Sequence, residues 1–358
     1  MSQIVTITGI RPDFIRMREI FKKLDENFDH IMIHTGQHYD DALSRMFFQD
    51  LEIREPDHTL ATGLNSTNHY EQLSYLAKEM PALFKREKLD PDLVLFLGDS
   101  NSVMVAPVLF KEGYKIGHIE GGMRSYDRRM PEEINRVICD YVSDYVFVYT
   151  PLYKERLLKE NKPEDSVFVV GNTIVEIVRR YMPKGPRPRD YIVADIHRSE
   201  NLASPRQLRH ILEYLEAFSK KTGFPVKLVR FNRAQKMIAE HQLLEGLTRI
   251  EPVGPYGFLK YLELQYGAYA VVSDSGTSQE ECPLLGVPAL IPRDHTERPE
   301  SLQNQNSILI GEKRPIQTMI DESMAFLESY QITSQKLAWL GDGTTSQRII
   351  DILLEKLG

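Results

Sequence analysis

The sequence predicts an α/β protein built as two doubly wound parallel-sheet domains. Three observations point there. Short apolar, β-rich runs alternate with longer amphipathic stretches from end to end, the pattern of βαβ units. The chain has 358 residues, more than one core usually organises at about 150 residues per domain. Finally, Tyr181 to Asp190 carries three prolines and one glycine in ten residues, the strongest linker signal in the chain. These place one domain at 1–180 and a second at 181–345, facing each other across a central cleft.

In the first half, strands are expected near Ile4 to Thr8, His30 to His34, Leu93 to Leu97, Lys115 to Ile119, Tyr145 to Tyr149 and Val167 to Val170. Helices are expected near Asp13 to Asn27, Ala42 to Asp50, Ser66 to Glu87, Ser102 to Glu112, Glu132 to Asp144 and Leu152 to Glu160. Each strand is a short apolar run, as required when helices cover both faces of a sheet. The second half repeats the alternation. Its strands are expected near Tyr191 to Asp195, Val226 to Arg230, Thr248 to Glu251, Ala270 to Ser273 and Ala289 to Pro292. Its helices fall near Pro205 to Thr222, Arg233 to Leu244, Tyr256 to Tyr266, Ser278 to Leu285, Pro315 to Ser329 and Ser346 to Leu357.

Composition removes several classes of function. Apolar residues make up 42% and charged residues 27% of the chain, an ordinary globular balance. No apolar run approaches about 18 residues, and Met1 to Thr8 reads as a first strand, not a signal peptide; no membrane association and a cytoplasmic location are expected. The net charge of −7 argues against a nucleic-acid partner. An anionic ligand must then be held by a few placed arginines and backbone amides. The two cysteines, Cys139 and Cys282, give neither a disulfide framework nor a zinc spacing and are expected to be buried and inert. No metal site is expected.

In doubly wound sheets, functional loops lie beyond the carboxyl ends of the strands, and five charged motifs follow strands here. His118 to Arg136 combines Glu120, Arg124, Asp127, Arg128, Arg129, Glu132, Glu133 and Arg136 with two glycines and a helix-opening Pro131. It reads as the wall of an active site carrying two carboxylates, Glu120 and Glu132. Gly9-Ile-Arg-Pro-Asp13 is either an anion site, made by a helix start and Arg11, or an ordinary strand-to-helix turn. Asp99, in Gly98 to Ser102, is a catalytic or a capping aspartate. His197 ends a strand among charged neighbours, where a phosphate donor or proton shuttle is as open a reading as a structural histidine. Ser275 and Gly276 open a helix whose amides suit a diphosphate, with Glu281 placed for a ribose diol; capping is the plainer account. Arg293 to Glu300 is a further dense charge cluster, which a solvated loop also explains.

The ordered set Gly-x-Arg-Pro-Asp, Thr35-Gly-Gln-His-Tyr-Asp40, Gly-Asp-Ser-Asn-Ser, His-Ile-Glu-Gly-Gly-Met-Arg-Ser, Pro-Glu-Glu-Ile-Asn-Arg, Gly171-Asn-Thr173, His-Arg-Ser-Glu-Asn, Ser-Asp-Ser-Gly and Thr-Glu-Arg-Pro-Glu resembles the UDP-N-acetylglucosamine 2-epimerase family. Gly341 to Ile349 is similar to that family's closing motif. The match spans nearly the whole chain in order. It implies a two-Rossmann, GT-B-like architecture shared with many nucleotide-sugar glycosyltransferases, with the nucleotide on the second domain and a final helix, 346–358, packing back on the first. It also implies interconversion of UDP-GlcNAc and UDP-ManNAc, without a cofactor, by elimination of UDP to a 2-acetamidoglucal and re-addition, in a homodimer.

On that reading Asp99, Glu120, Glu132 and His197 are the catalytic candidates. Arg11, Arg16, Arg136, Ser275, Gly276 and Glu281 are the candidates for holding the UDP-sugar. The chain departs from the family pattern at several points. Gly-Thr-Arg-Pro-Glu becomes Gly-Ile-Arg-Pro-Asp, and a lysine becomes Arg16. Thr-x-His-Arg becomes Asp195-Ile-His-Arg, His-Pro-Asn becomes Arg230-Phe-Asn-Arg233, and Gly-Gly becomes Gly276-Thr277. In bacterial members a Gln-His-Arg-Gln-like segment binds a second, activating UDP-GlcNAc; here it is Gln37-His-Tyr-Asp40. The competing readings are a hydrolysing epimerase, a UDP-sugar glycosyltransferase on the same fold, and a non-catalytic nucleotide-sugar binder.

Overall fold

The computed structural model describes residues 1–36, 48, 50–65, 68–128 and 130–358. The segment Gln37 to Asp40 and most of the helix expected near Ala42 to Asp50 lie outside the described residues, as does Arg129. The chain divides into two compact units, Met1–Ile177 with Trp339–Gly358, and Val178–Ala338.

The first unit holds β1 (Gln3–Thr8), β2 (Asp29–His34), β3 (His58–Thr59), β4 (Leu93–Leu97), β5 (Ile116–Gly121), β6 (Tyr145–Val148) and β7 (Val167–Val169). They form one parallel sheet in the order β3-β2-β1-β4-β5-β6-β7. The chain reverses its direction of travel across the sheet between β1 and β4, and the loops beyond these two carboxyl ends form the crevice where such folds place ligands. Apolar runs explain the strands: every residue of Leu-Val-Leu-Phe-Leu in β4 is buried. Val5, Ile7, Val94 and Phe96 pack with Leu83, Phe84 and Leu109 in one core, each fully buried side chain of this size worth roughly 1.5–3 kcal/mol.

The second unit repeats the design with β8 (Ile192–Asp195), β9 (Val226–Val229), β10 (Ile250–Val253), β11 (Ala270–Ser273), β12 (Ala289–Ile291) and β13 (Ser307–Leu309). Their order is β10-β9-β8-β11-β12-β13, again all parallel. Its reversal point lies between β8 and β11. The helix Pro205–Thr222 shows how local sequence sets an element: the Ser204 hydroxyl accepts from the Gln207 amide, Pro205 opens the first turn, and Gly223 closes the helix at φ 83°. Its apolar face, Leu208, Ile211, Leu212, Leu215 and Phe218, packs on Ile192, Val226 and Val272 of the sheet.

Both sheets match the expected fold class; the differences lie at edges and turns. β10 starts two residues later than the apolar run suggests and includes Pro252. A proline reads as a strand end, yet β10 is an edge strand, where the missing amide costs no ladder bond. The helix expected near Ser102 to Glu112 is a 3-10 turn, Asn101–Val105, followed by Ala106–Lys111, with Pro107 at the start of the second piece. The proline-rich stretch 181–190 is not a free tether. Arg187 donates to the carbonyls of Tyr266 and Gly286 at 3.0 and 3.1 Å, and the Arg189 amide donates to Gly267 at 2.8 Å.

The last helix, Thr345–Leu357, packs against Arg11–Asn27 within the first unit. The Ser346 amide and hydroxyl both donate to Glu176, at 3.1 and 2.7 Å. Arg348 reaches the Val170 carbonyl at 3.2 Å. Gly171 and Gly341 meet so closely that a Cβ on Gly341 would lie 3.1 Å from the Gly171 Cα.

Candidate active site

Three strand ends of the first unit converge on carboxylates. After β1, Asp13 turns back over the loop and accepts from the Gly9 and Ile10 amides at 2.8 and 3.1 Å. This is half of a capping box, and it takes up amides that an anion would otherwise use. Arg11, the remaining anion-binding candidate of that turn, is exposed. Gly9 is required by close approach, because a Cβ there would lie 2.7 Å from the hydroxyls of Ser100 and Ser102.

After β4, Asp99 pairs with the guanidinium of Arg136, which also holds Glu133 at 2.7 Å. Asn135 fixes the Asp99 carbonyl at 3.0 Å. These partners share the helix Pro131–Val142: Asn135 and Arg136 reach the β4 loop, and Glu133, one turn before Arg136, holds its guanidinium. Glu132, in its first turn, is partly exposed and makes no hydrogen bond or ion pair among the described residues. It is free to meet a ligand.

At β5, Glu120 stands at φ 73°, a left-handed backbone rare for a side chain of this size. The pairing of β5 with β6 slips there, between Ile119 and Gly121, and the irregularity aims the carboxylate out of the sheet's alternation. It is 6% exposed. Arg16 donates to it at 2.8 Å, and Tyr149 at 3.1 Å. Tyr149 in turn meets Thr173 at 2.9 Å. Arg16 thus serves Glu120 in this structure.

Asp13 faces Asp99 and Glu120, and burial, reinforced by those two charges, pushes its carboxyl up to about 7 despite its two amide bonds. In the folded protein it keeps its proton to higher pH than in the unfolded chain, so its stabilising effect is complete below pH 3.8 and is lost as pH rises through 7. Asp13→Asn is therefore expected to gain melting temperature over the wild type progressively between pH 4 and 7, by a few degrees at most. Thermal unfolding of both proteins across that range checks it; a pH-independent difference would exclude a neutral Asp13.

Behind these carboxylates lies a fully buried cluster. His118 donates from Nδ1 to Asp140 at 2.7 Å and from Nε2 to the Gly98 carbonyl at 2.7 Å. Both acceptors lack a proton to give, so the ring is an imidazolium. Burial opposes that charge, but the neighbouring Cys139 and Asp140 hold its pKa well above the ordinary value. Asp140 also takes Arg124 at 2.7 Å and the Gly122 amide at 3.0 Å. Burial disfavours the carboxylate, yet His118 and Arg124 keep its pKa below the usual range.

In the second unit the strand ends carry cationic and amide groups. Ser275 is partly exposed, its amide bound by the Ser273 hydroxyl at 3.0 Å and its own hydroxyl 3.0 Å from that of Thr277. The Gly276 and Thr277 amides, at the start of helix Ser278–Leu285, donate to no group among the described residues. Gly276 is needed because a Cβ would lie 2.3 Å from Arg298 and 2.7 Å from Glu297. Arg293, Glu297, Arg298 and Glu300 are all 5% exposed or less, so the solvated-loop account of that cluster is overturned. Arg293 pairs with Glu200 and Glu297, both at 3.2 Å, and Arg298 with Glu280 and Glu297, both at 2.8 Å. Glu281 is buried, with Gln265 donating to it at 3.2 Å.

His197, after β8, places Nδ1 2.8 Å from Asp195, and its ring lies 4.8 Å from that of Phe231. Asp274 accepts from the His197 and Arg198 amides and from Asn201. Asp195, His197 and Asp274 bring possible ligand atoms within 4.8 Å of one another. The oxygens of the two aspartates are engaged by six protein donors, an arrangement suited to holding a proton on His197 and not to ligating a metal.

Sequence reasoning missed Asp13, Tyr149, Thr173, Glu133 and Asp140. The i, i+3 spacing to Arg136 signals Glu133; nothing local signals Asp140, which meets His118 and Arg124, or Tyr149 and Thr173, which join the network of Glu120 through the sheet.

In the first unit, carboxylates counterpoised by arginines at the strand ends suit acid/base chemistry; in the second, helix-start amides at the strand ends suit an anion. The fold is that of GT-B-like α/β enzymes. A model of the UDP-N-acetylglucosamine 2-epimerase family matches residues 22–354. The UDP-N-acetylglucosamine 2-epimerase of Methanocaldococcus jannaschii is 34% identical, over 97% of each chain. The UDP-2,3-diacetamido-2,3-dideoxy-D-glucuronate 2-epimerase of Pseudomonas aeruginosa is 32% identical, over 98% of this chain and 99% of that protein. The crystal structure of the M. jannaschii enzyme in complex with UDP-GlcNAc and UDP superposes with a TM-score of 0.89, covering 99% of each chain. The chain belongs to the UDP-N-acetylglucosamine 2-epimerase family.

Among the described residues, no helix is long and apolar enough to cross a membrane.

Proposed function

We propose that the protein is a non-hydrolysing 2-epimerase that interconverts UDP-GlcNAc and UDP-ManNAc or a related UDP-2-acetamido sugar pair. The observation that carries this reading is the crowding of Asp13, Asp99 and Glu120 at adjacent strand ends, with Glu132 unpaired nearby in the sequence. Removing a weakly acidic C2 proton and returning one to the opposite face calls for acid/base groups on two sides of a sugar ring. Carboxylates in differing environments hold their protons differently.

In the forward step a carboxylate takes the C2 proton, the C2–H electron pair becomes the C1–C2 double bond, and UDP leaves C1 with the C1–O electron pair. In the return step a UDP oxygen attacks C1 and C2 takes a proton on its other face. UDP carries growing negative charge as it departs, and the Gly276 and Thr277 amides with His197 are suited to stabilise it. Glu281 is suited to the ribose.

Incubation with UDP-GlcNAc in D2O should place deuterium at C2 and yield UDP-ManNAc, read by NMR and mass spectrometry. The P. aeruginosa relative directs the same assay to UDP-2,3-diacetamido uronates if UDP-GlcNAc is inert. Deuterium in neither sugar, with any UDP-2-acetamido sugar offered, would refute the reading. Stoichiometric release of free UDP with a reducing sugar would replace it with hydrolysis.

A further inference from the structure

We propose that Asp195 is a positioning residue that keeps His197 an imidazolium, with its Nε2–H presented as the cationic donor of the anion cradle. The inference rests on the proposed UDP-binding role of the second unit. It assigns to Asp195 a task that a buried carboxylate at a strand end does not otherwise have.

The geometry is specific. Asp195 is the last residue of β8 and is 3% exposed. One of its oxygens takes His197 Nδ1 at 2.8 Å. The other accepts the Tyr261 hydroxyl at 2.8 Å and the Ser273 hydroxyl at 3.4 Å. With its own orientation fixed from two elements, the carboxylate can receive Nδ1 only as a donor. Asp274 adds a second negative oxygen 3.3 Å from Nδ1. The ring is steadied by Phe231. Nε2 has no partner among the described residues, and the side chain is 31% exposed, so this is the edge open to a ligand.

The charged and titratable groups around the ring are Asp195 from β8, Asp274 from the loop after β11, Arg198 from its own loop and Tyr261 from helix Phe258–Tyr266. Burial and Arg198 oppose the imidazolium; Asp195 and Asp274 outweigh them and raise its pKa. A neutral histidine would offer a leaving diphosphate a weaker hydrogen bond and no charge. The Asp195 pairing extends the cradle's cation to pH values where an ordinary histidine, with a pKa near 6.5, has lost it.

The test combines two readouts on the full-length protein. First, 15N-labelled imidazole signals are followed by NMR from pH 5.5 to 9 in wild type and Asp195→Asn, with His197→Gln assigning the resonance. The wild-type ring should stay doubly protonated through neutrality, and Asp195→Asn should titrate near the ordinary midpoint. Second, UDP affinity is measured by calorimetry at pH 5.5 and 8.5. The two proteins should bind alike at the lower pH. At the higher pH Asp195→Asn should bind about tenfold more weakly, the difference between a charged and a neutral hydrogen bond. Wild-type His197 titrating like a free imidazole, or a variant with unchanged pH dependence on both readouts, overturns the proposal. A wild-type imidazolium without any UDP affinity upholds the pair and refutes the UDP reading beneath it. If Asp195→Asn does not fold, the wild-type titration alone still decides the charge state.

Discussion

Glu120→Gln is expected to lower kcat at least about 100-fold, the low end for losing a general acid or base. The substitution keeps the shape of the side chain, and an amide oxygen can still accept from Arg16 and Tyr149, which donate to Glu120 at 2.8 and 3.1 Å. What disappears is the capacity to carry a proton. The backbone at Glu120, held at φ 73° beside the slip in pairing with β6, stores strain that a merely structural side chain would not require. Deuterium incorporation at C2 should fall with kcat. Part of the cost appears in stability, because Arg16 is 4% exposed and loses its countercharge; circular dichroism melts separate that from chemistry. Glu132→Gln should lower kcat by a similar factor with little change in melting temperature, since Glu132 is partly exposed and makes no hydrogen bond or ion pair among the described residues. Turnover unchanged in both variants would show that neither carboxylate carries the proton chemistry.

Asp140→Ala is expected to destabilise the first unit by about 3–5 kcal/mol, the usual cost of stranding buried charge. Asp140 is 1% exposed and is the shared counterion of His118 and Arg124. Its removal leaves two cations buried, with Glu160, a side chain 40% exposed and 2.6 Å away, as the remaining carboxylate on Arg124, beside the Met123 carbonyl at 2.7 Å. In a domain of this size that loss lowers the melting temperature by roughly 10 °C. A chemical effect should follow. His118 also holds the Gly98 carbonyl at 2.7 Å, so the loop presenting Asp99 loses its anchor. Combining Asp140→Asn with Arg124→Met removes one stranded charge and should recover part of the stability. A melting temperature within a degree or two of the wild type for Asp140→Ala would show that the cluster is not a charge-balanced unit.

Much of this architecture was legible in the chain. Apolar runs short enough to be strands and buried on both faces gave the parallel sheets, and turn residues gave the strand ends where the candidate residues lie. The motifs around Gly9, Asp99, Glu120, His197 and Ser275 all fall at those ends. Edge features escaped because periodicity weakens there: β3 has two residues and β13 three, and Pro252 sits in β10 where only an edge strand accepts it. For the Arg293 to Glu300 cluster the sequence left a solvated loop open as one reading, because charge is normally solvated. Only tertiary packing reveals that its charges neutralise one another beneath Gly276.

The sequence by itself determined the fold class, the family and the kinds of groups available, because those depend on pattern and on residue type at strand ends. Tertiary structure decided what each group does. Asp13 closes the helix start that Arg11 was expected to share with an anion, Arg16 turns to Glu120, Arg136 to Asp99, and Asp195 to His197. The assignments of Arg16 and Arg136 depend on which elements lie side by side, and therefore on distances of 3 Å or so between residues 104 and 37 positions apart. Local pattern carries no information at that range; charge neutralisation inside a low-dielectric fold supplies it.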